Sequence, residues 1–148
     1  MLSRATPSRR RPGTVDYRAL AEFRYQLRRF LRVSEEVARA AGLEPQQHQL
    51  LLAVKGVPEG QSPTIAWVAE RLQLKHHSVV GLVDRLARRQ LIVRRRDPAD
   101  QRRALLSLTP AAERTLHRLS LEHQQEIRTG ARGLVSATLA LAGRGRSA

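Results

Sequence analysis

The sequence predicts a mainly α-helical fold with one small β-ribbon, an α+β chain whose helices flank a ribbon-bearing centre. Three patterns carry this. Apolar residues recur every three or four positions over most of the chain, the period of a helix with one buried face. Between 91 and 109 that period gives way to two short runs, Leu91-Ile92-Val93 and Ala104 to Leu108, joined through the turn-favouring Asp97-Pro98-Ala99-Asp100. Gly42, Gly56, Pro58, Gly60, Pro110 and Gly130 cut the remainder into helix-sized pieces. A chain of 148 residues suits one compact domain with its own core.

Taken in order, residues 1–14 hold Arg4, Arg9, Arg10 and Arg11 and no acid, a basic arm expected to be disordered. It is either a contact to DNA or an inert start. Residues 15–42 form one unit. Tyr17, Leu20, Phe23, Leu27, Phe30, Leu31, Ser34, Val37, Ala38 and Ala41 mark a helix of about seven turns, closed by Gly42. Its length exceeds what a small domain needs and suits a dimer interface. The central unit spans 43–109. Pro45 opens a helix to about Lys55 with Leu50, Leu51, Leu52, Ala53 and Val54 as its apolar side. Ser62-Pro63-Thr64-Ile65 is a short extended piece or cap, and Thr64 caps a helix Ile65–Leu72 buried through Trp67, Val68 and Leu72. A helix from Lys75 to about Gln90 buries Val79, Leu82, Val83 and Leu86 and turns His77, Gly81, Asp84, Arg85 and Arg88 outward. Residues 110–142 form the last helical unit. Thr109 caps a helix to about Thr129 with Leu116, Leu119, Leu121 and Ile127 apolar. Leu134 to Leu141 is a short apolar helix expected to bury against a second subunit. Residues 143–148 are expected to be a disordered tail.

The charge narrows the partner. There are 27 Lys+Arg against 13 Asp+Glu, a net +14, with pI near 11.8. Arginine supplies 25 of the 27 cations, and its planar fork suits phosphates and base edges. From Lys75 to Arg103 nine cations face three acids (Asp84, Asp97, Asp100), a net +6 in 29 residues. This points to a polyanion. The absence of cysteine excludes disulfides, thiol redox sensing and thiolate zinc sites. Arg9-Arg10-Arg11 is followed by Pro12, Gly13 and Asp16 rather than an apolar run, so no signal peptide is expected. The nearly apolar stretch Gly133 to Gly143 is far shorter than the ~20 residues that span a bilayer, and a cytoplasmic protein is expected.

A groove-sized helix followed at once by a ribbon with arginines at its tip is how a winged helix-turn-helix grips DNA. On that reading Arg88, Arg89, Arg94, Arg95 and the Ser62–Thr64 segment hold phosphates, with Lys75, Arg96 and Arg103 adding to the basic surface. His76, His77, Ser78 and Arg85 read bases, and Arg102 enters the minor groove. Asp100, two residues from Arg102 on one side of the ribbon, is expected to aim that guanidinium by a bidentate pair. Gly81 costs about 1 kcal/mol against alanine inside a helix, so it serves close approach, to DNA or to another element.

Leu82-Val83-Asp84-Arg85-Leu86, Leu91-Ile92-Val93-Arg94-Arg95, Asp97-Pro98-Ala99-Asp100-Gln101-Arg102-Arg103 and Leu106-Ser107-Leu108-Thr109-Pro110 together resemble the multiple-antibiotic-resistance-regulator (MarR) family of bacterial repressors. The specific likeness covers about 43–113. It implies a homodimer on a pseudo-palindromic operator, with 15–42 and 110–142 as dimerisation helices. It makes Arg102 the wing-tip arginine and Asp100 its partner. Lys75 stands where the family often has a Ser or Thr cap, and Gly81 where it often has an arginine, which shifts base reading toward His77 and Arg85. The family's small phenolic or anionic effectors imply a pocket drawing on Phe23, Phe30, Ser34, His48, Trp67 and His117, although an aromatic stripe at helical spacing is also ordinary core.

Other chemistry is weighed on the same residues. His76 and His77 diverge on a helix, as do His117 and His123, so no metal and no cofactor is expected. No phosphate loop, nucleophile elbow or apolar carboxylate pair suggests an enzyme. The aromatics lie upstream of the basic ribbon, away from any base-stacking platform. A sequence-neutral architectural DNA-binding protein shares the charge profile and stays open as the alternative.

Overall fold

The computed structural model describes residues 15–143. The basic arm 1–14 and residues 144–148 of the expected tail lie outside them. Six helices and one ribbon follow in order: α1 Tyr17–Ala40, α2 Pro45–Lys55, α3 Ile65–Leu72, α4 His76–Arg88, β1 Ile92–Arg96, β2 Ala104–Leu108, α5 Pro110–Gly130 and α6 Arg132–Ala142. The mainly α fold with a β-wing is therefore the one the periodicity indicated.

Local chemistry sets the ends. Asp16 accepts the Ala19 N–H at 2.9 Å and opens α1. The chain leaves α1 through Gly42 at φ +78, a left-handed turn that glycine adopts without steric cost. Thr64 Oγ1 accepts the Trp67 N–H at 3.2 Å, and Thr109 Oγ1 does the same for Ala112 at 3.2 Å. Gln73 and Gln90, both left-handed at φ 53 and 55, stand at the two ends of α4. Lys75 caps α4 without a side-chain hydrogen bond.

One core joins these pieces. Leu50, Leu51 and Val54 of α2, Val68 and Ala69 of α3, Val79, Leu82, Val83 and Leu86 of α4, Ile92 and Leu106 of the ribbon, and Ala112, Leu116 and Leu119 of α5 form one buried cluster. The inward face expected for α4 is the observed one. The expected face of α2 is corrected. Leu52 is exposed and Ala53 half-buried, while Gln47 and His48 are buried. Positions 47, 50, 51 and 54 share one helical stripe, and 52 lies off it.

The ribbon is antiparallel, pairing Ile92 with Leu108 through to Arg96 with Ala104. Leu91 stays outside it, its N–H donating to Leu86 O at 2.9 Å. The connection is the loop 97–103 rather than a four-residue turn, closed by the Asp97 N–H donating to Arg103 O at 3.0 Å. Thr64 bridges to Leu105, and the Leu106 N–H donates to Pro63 O at 2.9 Å, so the 62–65 segment is both extended and a cap. Gly130 ends α5 as its last residue, and Ala131 caps both α5 and α6. The last helix thus begins at Arg132, two residues before its apolar run, and lies along α1.

Leu86 is 0 % exposed at the centre of the core. Leu86→Ala should lower unfolding free energy by about 2–5 kcal/mol. Urea titration followed by circular dichroism measures it; a loss under about 1 kcal/mol would show that α4 does not seat in this core.

Candidate nucleic-acid interface and adjoining cavity

The outward side of α4 is open. Lys75, His76, His77, Arg85 and Arg88 are exposed, and Ser78 and Gly81 half-buried. A Cβ at Gly81 would meet only Arg85 Nη1, at 3.4 Å. No other described element lies within 4 Å of that position, so close packing against a neighbouring element is not the reason for the glycine.

Beside it stands the ribbon, with Arg95, Arg96 and Arg102 exposed and free of ion pairs among the described residues. The expected Asp100–Arg102 side-chain pair is not formed. Asp100 Oδ1 accepts the backbone N–H of Arg102 at 3.0 Å, because two residues of a tight loop bring an Asx carboxylate to the amide before the guanidinium. Within the loop it is Arg103 whose guanidinium has a carboxylate, with Nε 3.7 Å from Asp97 Oδ2. Asp97 is itself buried and accepts the Ala99 N–H at 2.9 Å.

Two further arginines, both exposed, bond to groups of the protein itself. Arg94 donates to Asp84 and so ties the ribbon to α4. Arg89 donates through Nη1 to Gln47 Oε1 at 2.9 Å and through Nη2 to Gly42 O at 2.7 Å. Thr64 spends its hydroxyl on the cap of α3, and Ser62 is half-buried beside it.

A cavity of about 500 Å³ opens between α1, α2 and α5. Of the residues named for a ligand, it takes in Phe30, Ser34 and His48. Phe23, Trp67 and His117 do not line it. His117 is exposed; the Trp67 indole donates to Gln61 Oε1 at 2.6 Å and lies under the Arg71 guanidinium at 5.0 Å. The α5 histidine that does line it is His123. Its signal was available, since Ala112, Leu116, Leu119 and His123 fall on one stripe of α5, whereas His117 faces away.

His48 and His123 stack at 4.7 Å between centroids, 11° from parallel. Ser34 Oγ lies 3.0 Å from His123 Nε2, and Ser34 O lies 3.2 Å from it. Neither ring nitrogen of His48 has a partner, although the residue is only 2 % exposed. Burial, and secondarily the charge of His123, lower the His48 pKa from 6.5 to about 4. The ring is therefore neutral near pH 7, presenting one unmet donor and one unmet acceptor. Parallel rings direct their in-plane lone pairs side by side, not to a common point. Among the described residues no group of three metal-ligating side chains forms, and no helix is long and apolar enough to cross a membrane.

These features define a winged helix-turn-helix, and comparison narrows the class. Residues 41–103 match the profile of the MarR family. The whole fold superposes on a MarR family transcription regulator at TM-score 0.70 and 22 % identity, covering 88 % of this chain and 84 % of that one. A variant of MepR from S. aureus, bound to an oligodeoxyribonucleotide, aligns at TM-score 0.57 and 19 % identity over 90 % of this chain and 98 % of the other. BpsR of Bordetella bronchiseptica, whose DNA binding is regulated by 6-hydroxynicotinic acid, aligns at TM-score 0.64 and 21 % identity over 87 % and 96 %. Among curated proteins none matches significantly. The chain thus has the winged-helix fold of these regulators, and residues 41–103 are similar to the MarR family's profile.

The depressed His48 pKa makes stability pH-dependent with a fixed sign. Between pH 6.5 and 4 the unfolded ring takes up a proton that the folded ring refuses, so stability falls as pH falls through that window. The loss should approach roughly 2–3 kcal/mol. Denaturant titrations at several pH values should show it, and His48→Phe should flatten that part of the profile; an unchanged profile would mean the ring titrates freely.

Proposed function

We propose that this protein is a sequence-specific double-stranded-DNA-binding transcriptional regulator, acting as a homodimeric repressor of a pseudo-palindromic operator. The observation that carries the reading is the exposure of Lys75, His76, His77, Arg85 and Arg88 on the outer side of α4, beside a ribbon whose Arg95, Arg96 and Arg102 are also exposed. In this reading α4 enters the major groove, with His76, His77, Ser78 and Arg85 at base edges. Lys75, Arg88, Arg95, Arg96, Arg103 and the Ser62–Thr64 segment meet phosphate, and Arg102 reaches the adjacent minor groove.

A second copy is supported by apolar surface left on the outer helices. Tyr17 and Leu20 of α1, Leu121 of α5, and Val135 and Leu139 of α6 are exposed, Tyr17 at 78 % and Leu139 at 64 %. Such a surface favours association. Pairing through α1, α5 and α6 gives the two α4 helices the symmetry of an inverted repeat.

Relief by a small molecule is supported by the cavity. Glu35 is the one acidic residue lining it among the described ones, and no lysine or arginine does. An uncharged aromatic suits it better than an anion, since Phe30, Leu31, Leu52 and Ile127 line it and no lysine or arginine does.

Selection from a random duplex library tests the main reading. At about 150 mM salt it should enrich an inverted repeat with half-site centres roughly 10 bp apart. Tight, salt-sensitive binding without enrichment would favour the architectural alternative. On the selected site Arg102→Ala should weaken binding by about 1–3 kcal/mol; unchanged affinity would remove the ribbon tip from the contact surface.

A further inference from the structure

The end of α4 is held twice, and the two holds run to different parts of the molecule. Gln90 O accepts the Thr109 hydroxyl at 2.8 Å, and the Thr109 N–H donates to Leu91 O at 3.2 Å. Thr109 is the cap of α5, so this hold reaches the C-terminal helices. The other hold is Arg89. Its fork bridges Gly42 O, in the turn between α1 and α2, and the side chain of Gln47, which is 4 % exposed. Gln47 Oε1 also accepts the Glu44 N–H at 3.2 Å, so one buried oxygen joins the start of α2 to the end of α4.

We infer that Arg89 is a positioning residue, a clamp that fixes the angle of α4 against the α1–α2 junction, and not a phosphate contact. This rests on α4 being the DNA-reading helix. An arginine that meets phosphate has a fork free to turn outward. Here both terminal nitrogens are bound to fixed acceptors on the protein, and leaving for DNA would strip Gly42 O of this donor. The adjacent Arg88 carries no such bonds among the described residues and faces out, so it supplies the phosphate charge at this end. In a symmetric dimer the clamp acts on both copies. The angle it sets becomes the distance between two α4 helices, and hence the half-site spacing the dimer accepts.

The test compares salt dependence. A lost phosphate contact lowers the slope of log affinity against log salt by about 0.9 per contact; a lost clamp lowers affinity and leaves the slope alone. Arg89→Ala in the full chain should bind the selected operator about tenfold more weakly at every salt concentration, because two charged hydrogen bonds go. Its slope should equal that of the unaltered protein, and its discrimination against sites with one base pair added between half-sites should fall. Arg95→Ala, the comparator, should lose about 0.9 of slope. Arg89→Lys separates the two roles without removing charge: a clamp loses affinity as with alanine, since an ammonium cannot span both acceptors, whereas a phosphate contact survives. A slope drop for Arg89→Ala, or full affinity in Arg89→Lys, overturns the clamp. If the unaltered protein prefers no sequence, the operator reading fails, and the slope contrast on random duplex still judges Arg89.

Discussion

The seating of α4 in the core governs the rest of the structure. Val79, Leu82, Val83 and Leu86 are all under 3 % exposed and belong to the cluster that α2, α3, the ribbon and α5 complete. Fully burying each such side chain stabilises by roughly 1.5–3 kcal/mol. Its larger consequence is rotational. Each residue turns a helix by about 100°, so slipping the seam by one residue would draw a neighbouring outward side chain such as Arg85 toward the core. The burial therefore decides which side chains stay in water, and the polar face needs no device of its own to be aimed.

Polar contacts then fix what apolar packing leaves free. Arg94 to Asp84 sets the ribbon against α4, and Lys55 to Glu113, at 2.7 Å, sets α2 against α5. Gln47 and His48 are consecutive, and both are buried in α2. One bonds the end of α4; the other stacks in the cavity wall. A displacement of α2 by a fraction of its width thus registers at both places, because a packed helix moves as a body. The unpartnered His48 nitrogens make that wall a costly one, with about 1–3 kcal/mol for each unsatisfied buried group.

Much of this was legible in the sequence where a period was clean. The α4 stripe, the caps at Thr64 and Thr109, Pro45 at the start of α2 and the return strand Ala104–Leu108 all emerge from spacing and side-chain chemistry. The failures have physical causes. Leu50 to Val54 is an unbroken apolar run, so periodicity could not choose its buried stripe, and polar Gln47 and His48 won because a partner or a stack received them. The Asp100 carboxylate found a nearer donor in the backbone than in the Arg102 fork. Which arginines also bond to the protein itself depends on residues 10 to 47 positions away, such as Asp84, Gln47 and Gly42, and no local window holds both partners.

The bridge from Thr64 to Leu105 makes the ribbon a cantilever. Its return strand is fastened to the start of α3, close to the loop, by that bridge and by the bond from Leu106 to Pro63. Bending compliance is then confined to the free end, the loop 97–103, which is itself cross-braced by Asp97 and Asp100. A flexible hairpin would surrender the backbone freedom of every residue on meeting a rigid surface, at about 1–2 kcal/mol each. This one has surrendered most of it in folding. What remains to be ordered is a few long side chains, so the arm meets its target as a stiff probe and rejects surfaces of the wrong curvature.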